Sequence, residues 1–202
     1  MRLIALLIIL VAGISSIGCS MKEMKEVEDP EPVAEKELSA EDTAFAAVKL
    51  LKVKNFSALK DLIHPSKGVR FTPYGYIDVE KNRVFSAKEV GSLHENQQIY
   101  QWGEYDGTGD PMELSFEEYY KKFVYDADYI QAEEISINKR LGHGNSIDNS
   151  MEVYPGATVV EFHFPGFEEK YEGMDWKSLR VVIEKLDDKW YVVGIIHDQW
   201  TI

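Results

Sequence analysis

The chain has 202 residues, enough for one domain with a short appendage. Its 22 basic and 35 acidic residues leave a formal net charge of −13, which argues against a nucleic-acid partner, since that would require a basic face. Hydrophobic residues at 45% allow a real core, and a single cysteine excludes an intrachain disulfide and a cysteine zinc site.

The first element is apolar. Leu3 to Ile14 is an uninterrupted run, preceded by Arg2 and followed by small residues. A membrane-spanning helix needs about 20 residues, so this run is too short for a stable span and fits a secretory signal peptide. Ser16-Ile17-Gly18-Cys19-Ser20 follows directly. This resembles the lipobox of bacterial lipoproteins, with Ser16 departing from the leucine usual three residues before the cysteine. The resemblance implies residues 1–18 as the signal peptide and cleavage after Gly18. It also implies acylation of Cys19 and a membrane partner held through N-terminal lipid. Two or more acyl chains anchor stably where one does not. The location implied is the extracytoplasmic side of a cell envelope, at the outer membrane where the host has two.

Ser20 to Asp42 carries three lysines, nine acids, two prolines and no aromatic residue. It cannot bury enough apolar surface to offset its ordering entropy, so residues 19–42 read as lipidated N-terminus and acidic tether. Residues 43–202 read as a single α+β domain, with 18 basic and 26 acidic groups.

Ala44, Phe45, Val48 and Leu51 follow a helical period, and Ser39 with Asp42 forms a start signal. Asn55 breaks the pattern, and Phe56, Leu59, Leu62 and Ile63 predict a second short helix ended by His64-Pro65. Val69 to Tyr76 reads as a strand. Ser86 to Val90 predicts a short helix, Ile99 to Tyr105 a strand, and Asp106 to Pro111 a glycine-rich turn. Ser115 and Glu118 form a capping box before a helix with Phe116, Tyr120, Phe123 and Val124 on its apolar stripe. Leu141 to Asn149 reads as a loop. Thr158 to Phe164, Ser178 to Lys185 and Lys189 to His197 are strands, the last two joined by a hairpin at Asp187-Asp188. The final strand is apolar on both faces, which predicts a central position.

This order of elements, from Ala44 through Asn55-Phe56-Ser57-Ala58-Leu59 to His64-Pro65 and the closing Trp190 to Ile195 hairpin, resembles the nuclear transport factor two-like superfamily. The resemblance implies helices packed on a curved, mostly antiparallel sheet that forms a cone. Taken with His64 to Phe71 and Gly173-Met174-Asp175-Trp176, the chain also looks like a family of bacterial lipoproteins with no assigned activity.

Several residues are candidates for chemistry. His197 and Asp198 stand side by side where the last strand emerges, although strand neighbours point to opposite faces. His64 ends a helix, where an imidazole can bond terminal carbonyls. Glu161 and His163 share a strand face and, with His197, make a weak metal pattern. A hydrogen-bonded sheet face is the stronger expectation, and no metal or cofactor is assigned. Asp106 to Asp110 lacks the ligand alternation of a calcium loop. Tyrosines and tryptophans with a polar end, among them Tyr74, Tyr76, Trp102, Tyr120 and Trp176, would line a pocket with Asp175 and Arg180 at its rim. No nucleophile elbow, phosphate loop or zinc-protease motif occurs. The expectation is a non-catalytic envelope lipoprotein that binds a small ligand or a protein partner. The alternatives are an isomerase or dehydratase using His197, Asp175 or His64, and a homodimer paired through the outer sheet face.

Overall fold

The computed structural model describes residues 38–201, so Cys19, the signal peptide and most of the tether lie outside the described residues. Helix α1 spans Ala40–Lys52 and so begins inside the stretch read as tether. Ser39 caps it through a closed capping box with Asp42, as the sequence indicates. The helix buries Ala44, Ala47, Val48 and Leu51, and Phe45 meets Phe162 edge-to-face at 5.0 Å. Asn55 then caps α2, Phe56–Leu59, which tightens into a single 3-10 turn at Lys60–Leu62.

Strand β1 is Val69–Thr72, shorter than expected, because Pro73 has no N–H to extend the ladder. Strand β2, Val84–Phe85, was not legible; α3, Ala87–Ser92, starts at its Ser86 capping box. Strands β3, Ile99–Glu104, and β4, Pro111–Ser115, form a separate hairpin around the Asp106–Asp110 turn. Helix α4, Phe116–Phe123, follows its Ser115 cap. The short β5, Glu134–Ile137, and α5, Ser150–Val153, were also not anticipated. The chain closes with β6, Thr158–Phe164, β7, Lys177–Leu186, and β8, Lys189–Gln199.

The main sheet has the order β2-β1-β8-β7-β6-β5. All its pairs are antiparallel except β1 with β8. The fold class is therefore the expected one, helices packed on a mostly antiparallel sheet. Strand β8 is central and buried on both faces, as its double-sided apolar pattern predicts.

The two sheet faces differ. One carries Phe162, Leu179, Val181 and Ile195 into the main core beneath the helices. The other carries Val159, Val182, Val193 and Ile196 into a smaller core with Ile77 and Ala157. Tyr154 and Val153, on the stretch linking β5 to β6, pack against that second core. The chain itself thus covers much of the outer face that the dimer reading would use.

Candidate functional site

The aromatic interior does not form the expected pocket. Trp102 is fully buried and stacks on Tyr119 at 3.8 Å, with Phe71, Phe85 and Phe116 packed around it. Its Nε1 donates to the Leu114 carbonyl at 2.9 Å. Tyr120 donates through its hydroxyl to the Leu51 carbonyl at 2.7 Å. Trp102 and Tyr120 are core residues whose polar ends are satisfied by backbone, so they pack the interior rather than line a pocket.

Asp175 accepts from the amides of Phe167 and Glu168 at 3.1 and 2.9 Å and holds a loop. Trp176 is buried against His163 and the Gly142–Gly144 segment. His64 is buried, and its Nδ1 accepts from the amides of Ser66 and Lys67, closing the turn that follows it. None of these three reaches a common pocket.

Glu161 and His163 do share a face, but His197 points to the opposite side of the sheet, so the three cannot meet at one ion. Among the described residues no group of three or more His, Cys, Asp or Glu is placed to hold a metal. Instead Glu161 accepts from Ser178 Oγ at 2.6 Å and from the amides of Leu141 and Gly142. Ser178 has one hydrogen, which it gives to Glu161, so His163 Nδ1, 2.8 Å away, must donate to it. Burial lowers the pKa of His163, which favours the neutral ring.

His197 and Asp198 part company as strand alternation requires. Asp198 is fully buried on the outer face, where Arg140 Nη2 approaches at 2.7 Å, Ser146 Oγ at 3.1 Å and Arg180 Nη2 at 3.3 Å. Arg180 lies in the interior rather than on a rim, only 1% exposed, and Asp148 faces its Nη1 at 2.8 Å. Two arginines and two aspartates thus balance their charge. Burial pushes the Asp148 pKa up, but Arg180 and the hydrogen bonds from Ser150 together outweigh it and hold the carboxyl below its usual range.

His197 is fully buried on the core face. Its Nδ1 donates to the Pro73 carbonyl at 3.0 Å, and its Nε2 lies 3.3 Å from Asp126 Oδ2. A carbonyl only accepts, so both bonds form together when the ring carries both protons. Asp126 also takes Lys177 Nζ at 2.5 Å and the Tyr129 hydroxyl at 2.7 Å. Burial raises the Asp126 pKa, yet the bonds from His197 and Lys177 overcome that and hold it well below the usual carboxylate range. Asp126 has no sequence signal: it is one acid after a helix, and only tertiary packing gives it three donors.

These buried groups converge on one short segment. His197 holds the Pro73 carbonyl, and Arg180 Nη2 holds the Gly75 carbonyl at 3.2 Å. The Asn149 side chain bonds both the N–H and the C=O of Ile77, at 2.8 and 3.0 Å. Residues 73, 75 and 77 are therefore tied down from beneath, while Tyr74 and Tyr76 between them border a surface cleft of about 650 Å³. Gly75 is required by close approach, since a Cβ there would lie 2.8 Å from both Asp198 Oδ2 and Ser146 Oγ. The opposite wall is the β3–β4 turn, Glu104 to Gly109. Four predicted site residues, Tyr74, Tyr76, Arg180 and His197, thus meet at one place, two as lining and two as anchors, with Asp198 packed against Gly75.

Comparison with protein families, with curated proteins and with solved structures finds no match to this chain. Among the described residues no helix is long and apolar enough to cross a membrane.

Proposed function

We propose that this protein is a lipid-anchored envelope protein that binds a small polar ligand in the tyrosine cleft and does not transform it. The observation that carries the binding reading is the pinned Pro73–Ile77 segment. Burying arginine, histidine and aspartate is costly unless they find opposite charges, and here these groups also hold the backbone carbonyls of Pro73 and Gly75 that flank Tyr74 at the cleft. A volume of about 650 Å³ lies within the range of small-ligand sites. The lipobox-like Ser16 to Ser20 supports anchoring through Cys19, and the acidic tether supports a domain held off the membrane surface. The non-catalytic part is supported by the engagement of His64, Asp175 and His197, the groups an isomerase would need, with backbone and structural partners.

The test is a thermal-shift screen of the full chain in detergent against sugars, amines and amino acids, repeated with Tyr76→Ala. A ligand that raises the melting temperature of the parent and not of the variant supports the reading. If nothing shifts the parent, or if Tyr76→Ala responds equally, cleft binding is refuted.

A further inference from the structure

We infer that the tyrosine cleft takes a small organic cation, a primary amine or quaternary ammonium on a compact body. This rests on the binding reading above and adds the ligand class. The charge balance of the lining comes first. Asp78, Glu104 and Asp106 face a single lining cation, Lys81. Lys81 Nζ lies 2.9 Å from Glu104 and 3.9 Å from Asp78, and Asp78 also accepts from the amides of Glu80 and Lys81. The Asp106 carboxylate, by contrast, has no hydrogen bond or ion pair among the described residues. One carboxylate is left open in a lining that is net negative, on a domain that is itself acidic, so an anion would be repelled.

The aromatic groups provide the second half. The Tyr76 ring is 53% exposed and has no ring, cation or hydrogen-bond partner among the described residues. Tyr74 accepts at its hydroxyl from the Asp106 amide at 3.3 Å, which ties this ring to the acidic turn. Burial raises the Tyr74 pKa, so its hydroxyl stays neutral and available as a donor. A cation within about 6 Å of a tyrosine face is attracted by the ring quadrupole. Lys122, on α4, already sits this way over Tyr105, with Nζ 5.9 Å from the ring centre. The Tyr76 face and the Asp106 carboxylate line the same cleft and offer a ligand that ring attraction together with an opposite charge.

Calorimetric titration of the full chain in neutral detergent distinguishes this class from others. The probes are choline, putrescine and 3,3-dimethyl-1-butanol, the uncharged isostere of choline, with maltose as a neutral hydroxyl-rich control. The expected result is that choline or putrescine binds at least tenfold more tightly than either neutral probe, weakens as sodium chloride rises, and loses tenfold or more with Asp106→Asn and with Tyr76→Ala. Unchanged thermal melts of the two variants show that the loss is local. Maltose or the isostere binding equally well, with sensitivity to Tyr76→Ala and none to Asp106→Asn, overturns the cation class and leaves the cleft reading intact. Silence from all four probes overturns this inference, and the broader screen then decides the cleft reading separately.

Discussion

At the scale of single residues, the molecule concentrates its charge chemistry in its interior. Asp126, 8% exposed at its side chain, serves His197, Lys177 and Tyr129 at once. Its depressed pKa contributes stability that is present above the unfolded-state value near 3.8 and is lost as pH falls through the acid range below it. Asp126→Asn is expected to cost about 3–5 kcal/mol at neutral pH, as loss of one partner of a buried ion pair does. The variant's stability should also vary less between pH 4 and pH 2, which denaturant titrations across that range would measure. Arg180→Met removes the cation between Asp148 and Asp198 and frees the Gly75 carbonyl. It should cost a similar amount, lowering the melting temperature by roughly 6–20 °C at about 2–4 °C per kcal/mol. A calorimetric melt that stayed within 2 °C of the parent would contradict this account.

At the scale of elements, short-range signals in the chain place the helix starts and the closing hairpin. Ser39, Ser86 and Ser115 each close a capping box, and the helices begin directly after them. The Asp187-Asp188 hairpin turns with Asp187 in the left-handed region, at φ 53°. The short strands β2 and β5 escaped because two to four residues carry no measurable period; they exist only through pairing with β1 and β6. The glycine-rich stretch from Leu141 is a loop, as its composition indicates, and its glycines have a packing reason. A Cβ at Gly142 would come within 2.4 Å of the Trp176 ring. Gly142→Ala must therefore push the tryptophan or the loop aside. It is expected to cost about 1–3 kcal/mol, measured by chemical denaturation, with a change in tryptophan fluorescence on the same sample.

At the scale of the whole molecule, the proposed reading gives the N-terminal stretch and the domain separate tasks. The lipid reading predicts that cells fed radiolabelled palmitate will label the parent protein and not Cys19→Ser. The variant should also leave the membrane fraction on washing, because a single acyl chain or none holds only marginally. A labelled Cys19→Ser, or one retained on membranes like the parent, would defeat anchoring at this cysteine. The domain's own contribution is a sheet whose inner face, and much of whose outer face, are covered by its own chain, with a packed aromatic interior and a polar surface cleft.

Sequence alone determined what depends on neighbours in the chain. It set the caps and apolar periods that place helices, the closing three strands, the alternation that sends His197 and Asp198 to opposite faces, and the acidic stretch before Ser39. It also marked Tyr74, Tyr76, Arg180 and His197 as worth watching. Tertiary structure decided how they are used. Arg180 and the Gly75 carbonyl it holds are 105 positions apart, and His197 and the Pro73 carbonyl are 124 apart. No local pattern encodes such a pairing. It arises because folding brings β7 and β8 beneath the Pro73–Ile77 segment, where a buried charge must find partners or be expelled. Close packing decided the aromatic interior: rings such as Trp102 and Tyr119 gain more from packing on one another than from lining an empty space, and nothing short of the assembled core shows which they will do.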